Sequence, residues 1–177
     1  MCSSDLFNST KAFNLKFTDA DVTMNNKKWE IDPGNSIAVD SSSFMFRSFT
    51  FSHESESVGI QGLISESSND TLFFNARNFS LNDLNPLLSK ISLSAGGMLN
   101  GSASVSNIYN KPLLISNLSI HSFAVNEDTL GNAVIVSDYD TKKKAVHLSA
   151  NVLKNDYKTI YIDGDYYLNR QIGRAHV

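Results

Sequence analysis

The chain has 177 residues, with 15 Lys and Arg against 18 Asp and Glu, and a formal net charge of −3. This balance excludes the strongly basic surface that nucleic-acid binding requires, and no apolar run approaches the roughly 18 residues of a membrane-spanning helix. Hydrophobic residues make up 41% of the chain, which is ordinary for a folded protein.

The two ends of the chain resemble translated sequencing-adapter DNA. Met1–Leu6 reads MCSSDL and Ile172–Val177 reads IGRAHV. Apart from frame offsets, the adapter codons for these strings are reverse complements, as expected at the two ends of one flanked insert. Because processing scars are left out of fold reasoning, we take 7–171 as the natural sequence. We expect it to be an internal piece of a longer protein.

A hydrophobic period of two predicts β-strands along most of the chain. It is clearest in 13–17, 29–31, 37–39, 58–64, 146–152 and 160–168, and turn clusters such as Asn25-Asn26, Asp32-Pro33-Gly34-Asn35 and Ser67-Ser68-Asn69-Asp70 lie between these segments. We predict roughly a dozen strands bounded by turns. Short connections favour antiparallel neighbours in a meander, since parallel pairing needs long crossovers.

One short helix is predicted near residues 81–88. Ser80 can cap its N-terminus, and Asp83 stands where the acidic residue of a capping box would accept a bond from the cap's backbone N–H. Pro86 limits the helix to a turn or two.

The alternating strands each have one apolar and one polar side, so the sheet must bury one face and expose the other. With almost no helix, the apolar face is covered by a second sheet, by closure into a barrel, or by curling into a trough that holds a ligand. Periodicity alone leaves these three arrangements open.

Five short motifs follow one another in a fixed order between residues 72 and 168. They are NFSLNDLNPLL at 78–88 after a strand, GMLNGSA at 97–103, PLL at 112–114, LSI with LG at 118–120 and 130–131, and IDGDY at 162–166. Their order and spacing resemble the repeat region of the TamB family, within the AsmA-like group. The earlier WEIDP at 29–33 is compatible with a preceding repeat. We therefore predict two repeat regions, 7–80 with the weaker match and 81–171.

The resemblance implies an all-β antiparallel meander that forms an elongated, curled, open sheet with an apolar groove. TamB-like proteins are anchored in the inner membrane and cross the periplasm of Gram-negative bacteria. They are implicated in moving phospholipid and in outer-membrane protein assembly with a barrel partner. We accordingly expect a non-catalytic periplasmic segment that carries phospholipid acyl chains. An outer-membrane barrel protein would be its partner through regions that this chain does not contain.

Groove-lining residues are expected at every second position of the later strands. The candidates are Leu118, Ile120, Val146, Leu148, Val152, Ile160 and Ile162. The same pattern would also arise if these side chains packed the core of an ordinary sandwich.

The alternative interpretation is a secreted β-sandwich binding module of glycan or adhesin type. Such a module would present exposed aromatic side chains as a platform, and Trp29, Tyr161 and Tyr167 are its candidates.

An enzyme is the least favoured interpretation. Three carboxylate pairs have strand spacing, Asp19/Asp21, Asp138/Asp140 and Asp163/Asp165. Solvated strand faces account for them without catalysis. The sequence does not place the histidines His53, His121 and His147 at zinc-ligand spacing. The run Lys142–Lys144 is predicted to be a solvated turn. We predict no catalytic residue, metal or cofactor.

Overall fold

The computed structural model describes residues 12–168, which form twelve strands and one helical segment. The adapter-like ends, together with 7–11 and 169–171, lie outside the described residues. The strands are β1 (Phe13–Lys16), β2 (Asp21–Met24), β3 (Lys27–Ile31), β4 (Ser36–Val39), β5 (Phe44–His53), β6 (Glu56–Ile64), β7 (Thr71–Ser80), β8 (Ala95–Ser106), β9 (Leu113–Val125), β10 (Asp128–Asp140), β11 (Ala145–Lys154) and β12 (Tyr157–Tyr167).

All twelve strands belong to one antiparallel sheet that does not close. Its order is β1-β4-β5-β6-β7-β8-β9-β10-β11-β12, and the β2–β3 hairpin joins it through β5. The predicted antiparallel meander is therefore confirmed, and within residues 12–168 the sheet is not closed into a barrel and has no second sheet packed against it. The strands on either side of the boundary between the two predicted repeat regions, β7 and β8, pair with each other, so the sheet is continuous there. Within residues 12–168, β1 pairs with β4 alone and β12 with β11 alone.

The helical segment spans residues 81–91. It consists of a 3₁₀ turn (Leu81–Leu84), an α-helical turn (Asn85–Leu88) and a second 3₁₀ turn (Ser89–Ile91). The predicted helix is confirmed and extends three residues beyond the predicted end. No helix within residues 12–168 is long and apolar enough to cross a bilayer.

The predicted capping box at the start of this segment is wrong. The Ser80 side chain makes no capping bond, and its backbone N–H donates to Glu56 Oε2 at 3.1 Å. The Asp83 carboxylate instead accepts bonds from Lys27 at 3.0 Å and from Asn25 at 3.2 Å. A cation brought close by the tertiary fold outcompetes the local backbone donor, because a charge-assisted bond is the stronger one.

Bulges interrupt the sheet along successive strands. Three non-glycine residues with positive φ lie at register breaks: Ser48 in β5, Asn78 in β7 and Ser122 in β9. Three glycines with φ near +122° lie in the neighbouring strands: Gly62 in β6, Gly101 in β8 and Gly131 in β10. Asn100 and Asn132 side chains accept bonds from the N–H groups of Asn78 and Ser122 at 2.8 and 3.0 Å. Bulges of this kind bend strands and increase their twist.

The sheet curls towards its apolar side. In a flat sheet, β3 and β7 would lie roughly 14 Å apart, because β5 and β6 separate them at ~4.8 Å per strand. The Trp29 ring nevertheless lies 5.8 Å from the Phe79 ring, and Lys27 reaches Asp83 in the helical segment. The β2–β3 hairpin thus folds over the end of β7. The buried cluster begins under this hairpin and continues along the apolar side of the sheet as far as β11. It comprises Trp29, Ala76, Phe79, Leu81, Leu99, Ile120, Ala133 and Val152.

Candidate apolar groove

The strand register assembles one continuous apolar row across nine strands. Its members lie directly opposite one another from β3 to β12, and we call the side of the sheet that carries them the inner face. The row is Ile31, Phe51, Val58, Ala76, Gly101, Leu118, Ile135, Ala150 and Ile162. No polar side chain interrupts it.

The inner face carries further apolar positions beside this row. A second row crosses β7 to β12 through Phe79, Leu99, Ile120, Ala133, Val152 and Ile160. Leu148 and Val146 follow on β11, opposite Gly164 and Tyr166 of β12. All seven residues predicted to line a groove therefore share the inner face. Contact of these seven side chains with lipid stays a prediction.

The inner face is buried or half-buried as far as β11 and becomes exposed at the edge strand β12. Ile120 is 8% and Val152 is 4% exposed, whereas Ile162 on the edge strand is 50% exposed. The hairpin and the helical segment cover the β5–β7 side, and no second sheet covers the β12 side within residues 12–168. A half-exposed isoleucine on an otherwise apolar face leaves hydrophobic surface in water, which marks interaction sites when it is contiguous.

The dimensions of the nine-strand row suit an acyl chain. Eight inter-strand steps of ~4.8 Å give an arc of roughly 38 Å. An acyl chain that extends across one leaflet of a bilayer's hydrocarbon core is about 15 Å long. The row is therefore long enough to contact an acyl chain over the whole length of that chain.

A buried serine pair lies on the inner face beside the apolar rows, and the sequence did not reveal it. Ser116 Oγ and Ser137 Oγ lie 2.9 Å apart, and Ser137 also donates to the carbonyl oxygen of Leu114 at 3.1 Å. Each hydroxyl thus has a partner, as buried polar groups require. Serine in a strand reads as an outward residue, so only the pairing of β9 with β10 identifies this pair.

Charged side chains on the opposite side, the outer face, form a cluster around β12. His147 Nδ1 lies 3.0 Å from Asp165 Oδ1, and its Nε2 lies 3.6 Å from Asp163 Oδ2. Lys143 donates to Asp165 at 2.9 Å. The hydrogen bond to Asp165 is the main cause that raises the pKa of His147; Asp163 and Asp138 add attraction, and partial desolvation opposes them. Hydrogen bonds from Lys143 and His147 in turn lower the pKa of Asp165.

The predicted carboxylate pairs and lysine turn have structural partners. Asp21 pairs with Lys28 at 2.9 Å, and Asp140 accepts the backbone N–H groups of Lys142 and Lys143 within a turn. Within residues 12–168, no group of three or more His, Cys, Asp or Glu side chains is arranged to hold a metal ion. The predictions of no catalysis and no metal remain predictions.

The predicted aromatic platform is wrong for Trp29, which is buried. Trp29 is 2% exposed and packs against the rings of Phe79 and His53, because the curl of the sheet carries β3 over the inner face. Tyr161 and Tyr167 are exposed, and Lys158 lies 4.6 Å above the Tyr161 ring. The three side chains therefore form no common surface.

Comparison of the chain with protein-family models, with curated proteins and with solved structures finds no match. The resemblance to TamB repeats, the periplasmic location and the expected partners accordingly remain predictions. The candidate site is defined by its geometry alone, as a curled sheet with a long apolar inner face.

Proposed function

We propose that this chain is a non-catalytic carrier segment whose inner face shields acyl chains of phospholipid from water. The nine-strand apolar row, with its half-exposed end on β12, carries the proposal. Removing a methylene group from water is worth about 0.8 kcal/mol. A continuous apolar track supplies this gain without specific polar contacts, so a chain could move along it between equivalent positions.

The resemblance of residues 72–168 to TamB repeats supports the same function and extends it. On that basis, the chain belongs to an inner-membrane-anchored protein of the Gram-negative periplasm that delivers phospholipid for outer-membrane biogenesis. An outer-membrane barrel protein would contact other parts of such a protein. Within the described part of the chain, β1 and β12 each pair on one side only, which suits a sheet that further strands could extend.

The test uses two inner-face substitutions and one outer-face control. Leu148→Asp and Ile162→Asp place a carboxylate on the inner face, while Val134→Asp places the same group on the exposed outer side of β10. A buried charge costs far more than an exposed one. We expect both inner-face variants to lower the affinity for a pyrene-labelled lysophosphatidylcholine at least about tenfold, which corresponds to 1.4 kcal/mol. The Val134 variant should bind like the unmodified chain.

Circular dichroism separates loss of binding from loss of folding. Ile162 is already half exposed, so Ile162→Asp should keep the strand signal even if Leu148→Asp does not. Equal lipid affinity for folded Ile162→Asp and Val134→Asp would contradict the groove assignment. Absence of lipid binding by the unmodified chain would refute the function itself.

A further inference from the structure

The β2–β3 hairpin, residues 21–31, is attached to the rest of the described sheet by few strand pairs. Among the strands of residues 12–168, β2 pairs with β3 only and is joined to it by a two-residue turn at Asn25 and Asn26. β3 joins β5 through two residue pairs, Glu30 with Ser52 and Ile31 with Phe51. By contrast, β5 and β6 pair through eight residue pairs. Elements with few backbone bonds open at the lowest free energy.

Polar contacts hold the free end of this hairpin down across the inner face. Lys27 Nζ lies 2.6 Å from Glu56 Oε1 and 3.0 Å from Asp83 Oδ2. Asn25 donates to the carbonyl oxygen of Asn82 at 3.0 Å. We call the three charged residues Lys27, Glu56 and Asp83 the latch. Burial alone would lower the pKa of Lys27, but the bonds to Glu56 and Asp83 outweigh it and raise the pKa, so the cation stays charged.

Trp29 occupies the space under the latch. Lys27, Trp29 and Ile31 alternate along β3 and therefore point to the same side, the inner face. The Trp29 indole lies at the start of the apolar rows, in contact with Phe79. Its Nε1–H is buried and has no acceptor among the described residues. A buried donor without a partner disfavours the closed position, which the latch and the packing of the indole together maintain.

We infer that the β2–β3 hairpin is a lid, closed by the latch, and that an acyl chain entering the inner face displaces Trp29. This inference rests on the proposed lipid-carrying function. The indole is a flat apolar group of the kind that an acyl chain can replace in a hydrophobic contact. The lid would thereby keep the β5–β7 end of the inner face out of water until lipid arrives.

The single tryptophan of the chain makes the lid directly observable. In the unmodified chain, acrylamide should quench Trp29 fluorescence weakly, because the ring is almost fully buried. Lysophosphatidylcholine below its micelle-forming concentration should raise the quenching constant as the lid opens. Opening and binding are thus read by two signals, Trp29 quenching and the fluorescence of a pyrene-labelled lysophosphatidylcholine.

Lys27→Met removes the shared cation and leaves Glu56 and Asp83 to repel each other. We expect the quenching constant of Trp29 to rise at least about twofold without lipid. Lipid affinity should increase about tenfold, since the binding-competent state is then more populated. Lys28→Met is the matched control: it removes the exposed pair with Asp21 in the same hairpin and should change neither signal. Lys27→Arg keeps the charge and should restore the closed lid.

The outcomes separate the lid from the proposed function. If Lys27→Met and Lys28→Met give the same Trp29 quenching, the lid is refuted, whatever the lipid does. If Lys27→Met exposes Trp29 without changing lipid affinity, displacement by an acyl chain is refuted while lipid carriage stands. If neither the unmodified chain nor Lys27→Met binds lipid, the proposed function fails, and this inference with it. Should Lys27→Met fail to fold by circular dichroism, Glu56→Gln gives the same comparison with one charge removed.

Discussion

Replacing Gly131 with alanine should break the curled sheet at β10. Gly131 has φ +123°, a backbone conformation that is nearly restricted to glycine. A Cβ there would collide with the carbonyl oxygen of Leu153 in the neighbouring strand β11. The collision is with backbone, so no side-chain rotation relieves it, and the two strands must separate locally.

The substitution costs free energy through backbone strain and through lost strand pairing. Holding alanine in this conformation costs of order 1–3 kcal/mol. Separating β10 from β11 at this point removes at least one ladder hydrogen bond, with a net loss of about 1 kcal/mol. The free energy of unfolding should therefore fall by about 3 kcal/mol. With a urea slope near 2 kcal/mol/M, the unfolding midpoint drops by about 1.5 M.

Gly164→Ala is the matched control, on β12 of the same sheet. A Cβ at Gly164 meets nothing within 4 Å, and its φ lies outside the positive range. Alanine there should stabilise the protein slightly, by about 0.5 kcal/mol, because it restricts the unfolded chain. Urea unfolding followed by circular dichroism compares the two variants. Equal midpoints would refute the account of the bulges as strained, glycine-dependent bends.

Two further predictions concern the polar groups of the sheet. Ser137→Ala leaves the buried hydroxyl of Ser116 without its side-chain partner and should destabilise the fold by about 1–2 kcal/mol in urea unfolding. The double alanine variant should cost less than the sum of the two single changes, and strict additivity would contradict the pairing. Because the pKa of His147 is raised above 6.5, its contact with Asp165 should stabilise the folded state fully below pH about 6.5 and lose this effect as pH rises through the folded pKa. In an NMR titration of the imidazole, Asp165→Asn should lower the midpoint of His147, and an unchanged midpoint would contradict the contact.

Strand positions followed from the sequence where the alternation is regular. In β11, Val146, Leu148 and Val152 fall on one face as predicted, and the register confirms this for each. In β10, residues 133–136 are all apolar, so no period shows which side chains point inward. Pairing with β9 and β11 decides it: Ala133 and Ile135 point inward, while Val134 lies 47% exposed on the outer face.

Contacts between distant segments could not be predicted from the sequence. Trp29 reads as one more alternating strand residue, yet the curl of the sheet buries it against Phe79. The local sequence predicts that Asp83 caps the helix, yet its carboxylate accepts a hydrogen bond from Lys27, which lies 56 residues earlier in the sequence. Both errors have the same cause, because local patterns give the direction of a side chain along its own strand but not the curvature that brings strands together.

That curvature links the sequence to the proposed function. A flat, one-sided apolar sheet would expose its whole inner face and pair with other sheets. Here the bulges at Ser48, Asn78 and Ser122 bend alternate strands, so one end of the inner face closes under the hairpin while the β12 end stays accessible. A sheet bent in this way can keep an apolar surface available for a ligand and still fold, since each bend is built into the backbone rather than imposed by a covering layer. The glycine and lysine substitutions test the two halves of this reasoning separately: one removes the bend, and the other opens the covered end while the bend remains.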